Sequence, residues 1–422
     1  MGRAGRRRDP DGAPPSLKDS DLAVRRMPAI RVIIFNADES FAPTLRATLQ
    51  TFDGVKIVAE VDEPTLLPQA VRQFPADVLI VHLDPNPSAL LATAGEVATK
   101  HPDLCVFAVS DSTDGQVILA AMRLGLKEFL TKPIDPTVMA AAMEKVFEKR
   151  TDHATTGRLF PVLGSAGGVG ATSLATNLAV ELASVSGGKV AVVDLDYRFG
   201  QVATFLDVEP VYTIADLCES PEQLEAQVIE RTLVRHASGV FVLSRPIHFT
   251  QADNITAAHC VGALTALLSM HDYVVTDGPT RFDMGAKAVL DIADCSLLVM
   301  QLLVPSVRST LRMVEGMQQA GFNLDRVKIV CNRLGRESTS LTLADVSATL
   351  NRDVFASLPD DWAAMSSAIN FGEPLSVNHP KSKVRIAIRE LAERLHRPPA
   401  ASDDKPGARR SSRLFGKVFS GA

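Results

Sequence analysis

Leu159-Phe-Pro-Val-Leu-Gly-Ser-Ala-Gly-Gly-Val-Gly-Ala-Thr-Ser173 is an apolar run of strand length, a glycine-rich turn and the opening of a helix. Leu174, Leu178, Leu182 and Val185 follow at steps of 4, 4 and 3, which puts them on one face of that helix. Glycines let backbone N–H groups approach an anion closely, and the helix dipole favours negative charge at its N-terminus. Thr172 stands where a hydroxyl can hold Mg²⁺ beneath bound phosphates. By itself Gly167-Gly-Val-Gly170 also fits an ordinary turn between a strand and a helix.

Downstream segments aim at the same place. Ala191-Val-Val-Asp-Leu-Asp196 ends a strand with two carboxylates, and Tyr273-Val-Val-Thr-Asp277 ends another with one. Cys331-Asn332-Arg333 closes a further strand. Ligands of open α/β sheets sit beyond the carboxyl ends of the strands, so these elements converge on one site. The spacing predicts strands over 159–163, 189–194, 240–244, 273–276, 296–301 and 327–331, alternating with helices up to about His396. A shorter series precedes it, with strands over 31–35, 55–61, 77–81, 104–109 and 128–131. Strands alternating with helices imply parallel βαβ units. The expected fold class is therefore α/β, with two doubly wound parallel-sheet domains. Residues 1–28 read as a disordered arm, 29–150 as the first domain and 151–158 as a linker. Residues 159–396 form the second domain, and 397–422 a basic flexible tail with a short amphipathic segment.

Composition narrows the function classes. Hydrophobic residues at 46% and charged residues at 22% of 422 mark a globular chain rather than a disordered one. The net charge of −5 argues against a nucleic-acid partner for the chain as a whole. Five cysteines without a C-x-x-C pair give neither a disulfide framework nor zinc spacing. The nine histidines include no H-E-x-x-H, and Ser165 and Ser173 have no recognisable histidine base. The opening residues lack the apolar core of a secretory signal, so a cytoplasmic protein is expected.

The ordered set over 159–396 resembles the MinD/ParA family of deviant P-loop ATPases. With the preceding domain it resembles the TadZ/CpaE branch, whose members position and help assemble Tad (Flp) pilus machinery. Asp194-Leu-Asp-Tyr-Arg-Phe-Gly200, Tyr212-Thr-Ile-Ala-Asp-Leu217, Ser357-Leu-Pro-Asp-Asp361 and Ala368-Ile-Asn-Phe-Gly-Glu-Pro-Leu375 carry that closer likeness. The resemblance implies ATP and Mg²⁺ as cofactors and a homodimer. It implies a phosphate cradle at Gly167, Gly168, Val169, Gly170, Ala171, Thr172 and Ser173. Mg²⁺ would lie at Thr172, Asp194 and Asp277, and Asp196 would order the attacking water. Asn332 would read adenine, flanked by Arg333 and the Leu358-Pro359 loop.

The departures bear on activity. The family carries a lysine before the paired glycines and another just before the threonine; here those positions are Ala166 and Ala171. A hydrogen bond to a charged group contributes about 1.5–3 kcal/mol, so one lost lysine weakens binding roughly 10–150-fold. Hydrolysis suffers more, because its transition state relies on those charges. Little or no ATPase turnover is expected. Residues 29–150 resemble a response-regulator receiver through Ala121-Met-Arg-Leu-Gly-Leu-Lys-Glu-Phe-Leu-Thr-Lys-Pro133 and Ser110. Ala37-Asp38 keeps one of two required acids, and His82 occupies the acceptor position. Asp84 lies two residues on, about 6–7 Å along a strand, which puts it out of reach unless the loop rearranges. The expected module has kept the fold, lost the chemistry, and docks Tad secretion and pilus proteins.

In the tail, Leu414, Phe415, Val418 and Phe419 share one helix face amid Arg413 and Lys417, the pattern of a peripheral membrane or partner contact. The alternative reading of the whole chain is an active ParA/MinD-type ATPase in DNA partitioning or cell positioning.

Overall fold

The computed structural model describes residues 30–52, 54–150, 157–219, 226–280, 284–335 and 341–397. The expected arm, most of the linker and the amphipathic tail segment lie outside them.

Five strands form the first sheet: β1 (Ile30–Phe35), β2 (Val55–Val61), β3 (Val78–His82), β4 (Cys105–Ser110) and β5 (Glu128–Thr131). Their order is β2-β1-β3-β4-β5 and every pairing is parallel, the flavodoxin-like arrangement. Strands β1, β3 and β4 are apolar almost throughout because helices cover both faces.

The second sheet has eight strands. They are β6 (Arg158–Gly164), β7 (Val190–Asp194), β8 (Val234–Arg235), β9 (Phe241–Leu243), β10 (Tyr273–Asp277), β11 (Ser296–Gln301), β12 (Val327–Leu334) and β13 (Val354–Pro359). The order is β13-β12-β11-β6-β10-β7-β9-β8, parallel except for β8. Arg158, expected in the linker, already pairs with Tyr273. Strands β8 and β13 were not expected. The former is two residues long and carries no period, and the latter is an edge strand that ends on a proline.

Leu174, Leu178 and Leu182 of the helix Ala171–Ser186 are buried with Val162, Val192, Val275 and Val299 on one face of this sheet. Val261, Leu264 and Leu267 of the helix Ala257–Met270 join Leu159, Ala191, Val193 and Val274 on the other. That second apolar cluster continues into the first sheet's Ile33, Leu67 and Leu79, so the two sheets share buried surface. No helix among the described residues is long and apolar enough to cross a membrane.

Candidate functional site

Strand β6 enters the middle of its sheet with β10 on one side and β11 on the other, which places its carboxyl end at the switch of chain direction. The loop after it climbs to Gly170, which caps the helix Ala171–Ser186 at φ 96°, a left-handed conformation that favours glycine. Gly168 is also left-handed, at φ 76°. A Cβ on Gly167 or Gly168 would meet nothing within 4 Å, so the loop leaves an open cradle. Its underside is tied down. Ser165 N–H donates to Val299 O at 2.9 Å, Gln301 Nε2 to Gly168 O at 3.2 Å, and Asn332 Nδ2 to Val169 O at 2.8 Å.

Asp194 and Asp277 end β7 and β10 and stand side by side in register. Both are buried. Burial, and then the neighbouring Asp277, pushes Asp194 up to about 8. Burial likewise raises Asp277 to about 6, against a hydrogen bond from Thr172. Asp196 adds like charge to both, which puts all three acids within electrostatic reach of each other. Asp194 accepts from Val202 N–H at 3.1 Å and Asp196 N–H at 3.2 Å. Asp196 itself accepts from Phe199 N–H at 3.0 Å and so ties one oxygen into its own loop. Two buried acids whose charged forms are disfavoured by burial and by each other form a site that gains from a divalent cation.

Gly200 went unnoticed as a site residue, although it closes Asp194-Leu-Asp-Tyr-Arg-Phe-Gly200. A Cβ there would lie 2.0 Å from the Asp194 carboxylate, so only glycine lets the loop close over that acid. Arg245 Nε holds Gly200 O at 2.7 Å.

Asn332, Arg333 and Pro359 do come together, lining a cleft with Gly170, Ser173 and Trp362. Asn332 has a task that its position alone did not reveal. It is buried, its amide supports the phosphate loop, and its Oδ1 accepts from Arg333 N–H at 2.9 Å. Arg333, left-handed at φ 54°, lies over the ring of Trp362 at 5.7 Å, and Trp362 is half exposed. Among the described residues no three His, Cys, Asp or Glu side chains converge as a metal site. A metal at Thr172, Asp194 and Asp277 would therefore take phosphate and water oxygens as its remaining ligands. The backbone cradle, Thr172 and the acid pair fit a Mg²⁺-bound phosphate chain. Ala166 and Ala171 supply no charge to it.

At the first sheet's switch point, His82 is fully buried, its Nδ1 2.6 Å from Asn36 Oδ1. Burial, and then Lys132, lowers its pKa. The expectation that Asp84 lies out of reach is corrected. The chain turns back after β3, and the Asp84 carboxylate accepts from Ser110 Oγ at 2.7 Å and Asp111 N–H at 2.8 Å. Lys132 Nζ lies 2.9 Å from it. Burial alone would raise Asp84, but the bonds from Ser110 and Lys132 overcome it and hold the acid at about 2. The ionised Asp84 carboxylate thus occupies the hydroxyl of Ser110 and the ammonium of Lys132.

A model of the CobQ/CobB/MinD/ParA nucleotide binding domain family matches residues 161–375. The septum site-determining protein MinD of Thermotoga maritima is 23% identical over 245 residues, 57% of this chain and 88% of that protein. Among solved structures, a ParA family ATPase from Chlorobium tepidum superposes with a TM-score of 0.54 at 21% identity, covering 57% of this chain and 99% of that one. MinD from Pyrococcus horikoshii, solved with Mg-ADP, gives 0.50 at 20% identity over 57% and 96%. These likenesses cover the second sheet's fold, and the match over half of the sequence places the chain in the CobQ/CobB/MinD/ParA nucleotide-binding family.

Proposed function

We propose that this protein is a spatial organiser of a Tad (Flp) pilus secretion apparatus, of the TadZ/CpaE kind, that binds Mg-ATP weakly and hydrolyses it little. The observation that carries the reading is a phosphate loop with its backbone cradle and acids intact but with Ala166 and Ala171 in both lysine positions. The first sheet supports it, with receiver strand order and His82 in the acceptor's place. In this reading the amides of Gly167 to Ser173 hold the phosphates. Thr172, Asp194 and Asp277 would hold Mg²⁺ beside them. Arg333, Pro359 and Trp362 border the base. The metal would supply positive charge against the phosphates, and Asp196 would orient water. Two copies dimerise over the nucleotide in the cytoplasm, the first sheet docks pilus proteins, and the tail rests on the inner membrane face.

Deletion of the coding sequence is expected to abolish surface pili, with restoration by the wild type. Normal pili together with displaced division sites or lost chromosomes would refute this reading. That outcome would favour an active positioning ATPase, which Thr172 and the three acids Asp194, Asp196 and Asp277 also support.

A further inference from the structure

The helix Met284–Ile292 follows Asp277 by a few residues and lies against β2 of the first sheet. Its polar side chains reach across. Lys287 Nζ pairs with Glu60 at 2.7 Å, and Asp291 pairs with Arg46 of the helix Ala42–Gln50. Arg46 is 5% exposed and binds both acids, Glu60 and Asp291, while its Nε donates to Gly321 O at 2.9 Å. Its guanidinium lies 5.3 Å from the ring centre of Phe322. Just beyond the helix, buried Lys56 of β2 pairs with Asp294 at 3.1 Å, and Asp294 accepts from Leu159 N–H of β6 at 2.8 Å.

A lone surface ion pair contributes little. This cluster is different, because Arg46 and Asp291 are buried, so removing the Arg46 guanidinium leaves the Asp291 charge buried without its counterion. The helix is therefore held at its outer face by the first sheet, while its Gly285, Ala286 and Val289 line a cleft with Leu195, Asp196 and Pro279. That cleft wall is bonded into the site, where Leu195 N–H donates to Asp277 O at 3.0 Å and Gly278 N–H to Val162 O at 2.9 Å.

We propose that the first sheet controls the nucleotide site through this helix, with Arg46, Glu60, Lys287 and Asp291 acting as a clamp that preorders the cleft wall formed by Leu195, Asp196 and Pro279 beside Asp277. A site wall already ordered costs less to order when a ligand binds, so the clamp raises affinity. Coupling of this kind is reciprocal. A docked partner that shifts the first sheet changes nucleotide affinity, and nucleotide changes partner affinity. The ligand side rests on the nucleotide reading above; the mechanical side does not.

The test uses the full chain with Arg46→Met, the milder Lys287→Met, and Arg31→Met as control. Arg31 pairs with Asp77 at 3.0 Å inside the first sheet and touches nothing on the helix in that pairing. Titration with a fluorescent ATP analogue and Mg²⁺ is expected to show affinity at least about fivefold weaker in Arg46→Met, a smaller loss in Lys287→Met, and no change in Arg31→Met. Hydrogen exchange without nucleotide is expected to quicken at the Leu195 and Gly278 amides in Arg46→Met but not in Arg31→Met. Affinity within twofold of wild type, or equal loss in the control, would overturn the clamp. If the wild type binds no nucleotide, the nucleotide reading falls by itself and the exchange arm decides: unchanged Leu195 and Gly278 amides refute the clamp, and faster exchange sustains it.

Discussion

Asp194→Asn should make the ligand-free protein more stable at neutral pH and no more stable at pH 5. Asp194 is raised from 3.8 to about 8 by burial and by Asp277. An acid whose native pKa lies above its unfolded value binds more protons folded than unfolded between the two. Stability is therefore fully present below about pH 4 and falls as pH climbs toward about 8. Each pKa unit corresponds to about 1.4 kcal/mol, so at pH 7 the acid costs at most about 4 kcal/mol. Asparagine removes that cost but accepts less well from Val202 and Asp196, a loss of about 1 kcal/mol. A net gain of about 1–3 kcal/mol, or roughly 2–10 °C in Tm, should appear at pH 7 in EDTA. At pH 5 the two effects nearly cancel. Thermal melts of both proteins at the two pH values check this. Equal Tm at pH 7, or the same gain at both pH values, would show that Asp194 is not strained by its burial and would undo the argument for a metal-hungry acid pair.

Wild-type ATPase activity should stay near the buffer background, while Ala171→Lys should tighten ATP binding several-fold by calorimetry, since the cradle and Thr172 are present. A robust wild-type rate abolished by Asp277→Ala would show that another cation serves. Incubation with acetyl phosphate and Mg²⁺ should leave the first sheet unmodified by mass spectrometry, because Asp84 fills the bonds of Ser110 and Lys132; stoichiometric label on His82 or Asp84 would contradict this. Arg385→Ala should lower Tm by roughly 4–10 °C, because Glu181 is 2% exposed and keeps only the longer contact from Arg389 at 3.4 Å. Adding Glu181→Gln should recover part of the loss.

The site's chemistry was legible because it is local. Gly168, Gly170, Thr172, Asp194 and Asp277 sit at ends of strands whose apolar runs are visible in the chain, and parallel topology sends all those ends to one edge. Roles that depend on distant partners were not legible. Asn332 was placed beside a base, yet its amide bonds Val169 across 163 positions. Gly200 matters only because the Asp194 carboxylate fills the space a Cβ would need.

By itself the sequence determined two α/β units, the phosphate loop and the missing lysines, since period, glycine placement and residue identity are properties of short segments. Tertiary structure alone decided that Asp84 folds back to bind Ser110 and Lys132, since a loop's return path is set by what it meets. It also decided that the first sheet grips the helix after Asp277. Arg46 and Asp291 are 245 positions apart, with no local pattern to join them; they pair because two apolar surfaces close and bury Asp291 against the Arg46 guanidinium.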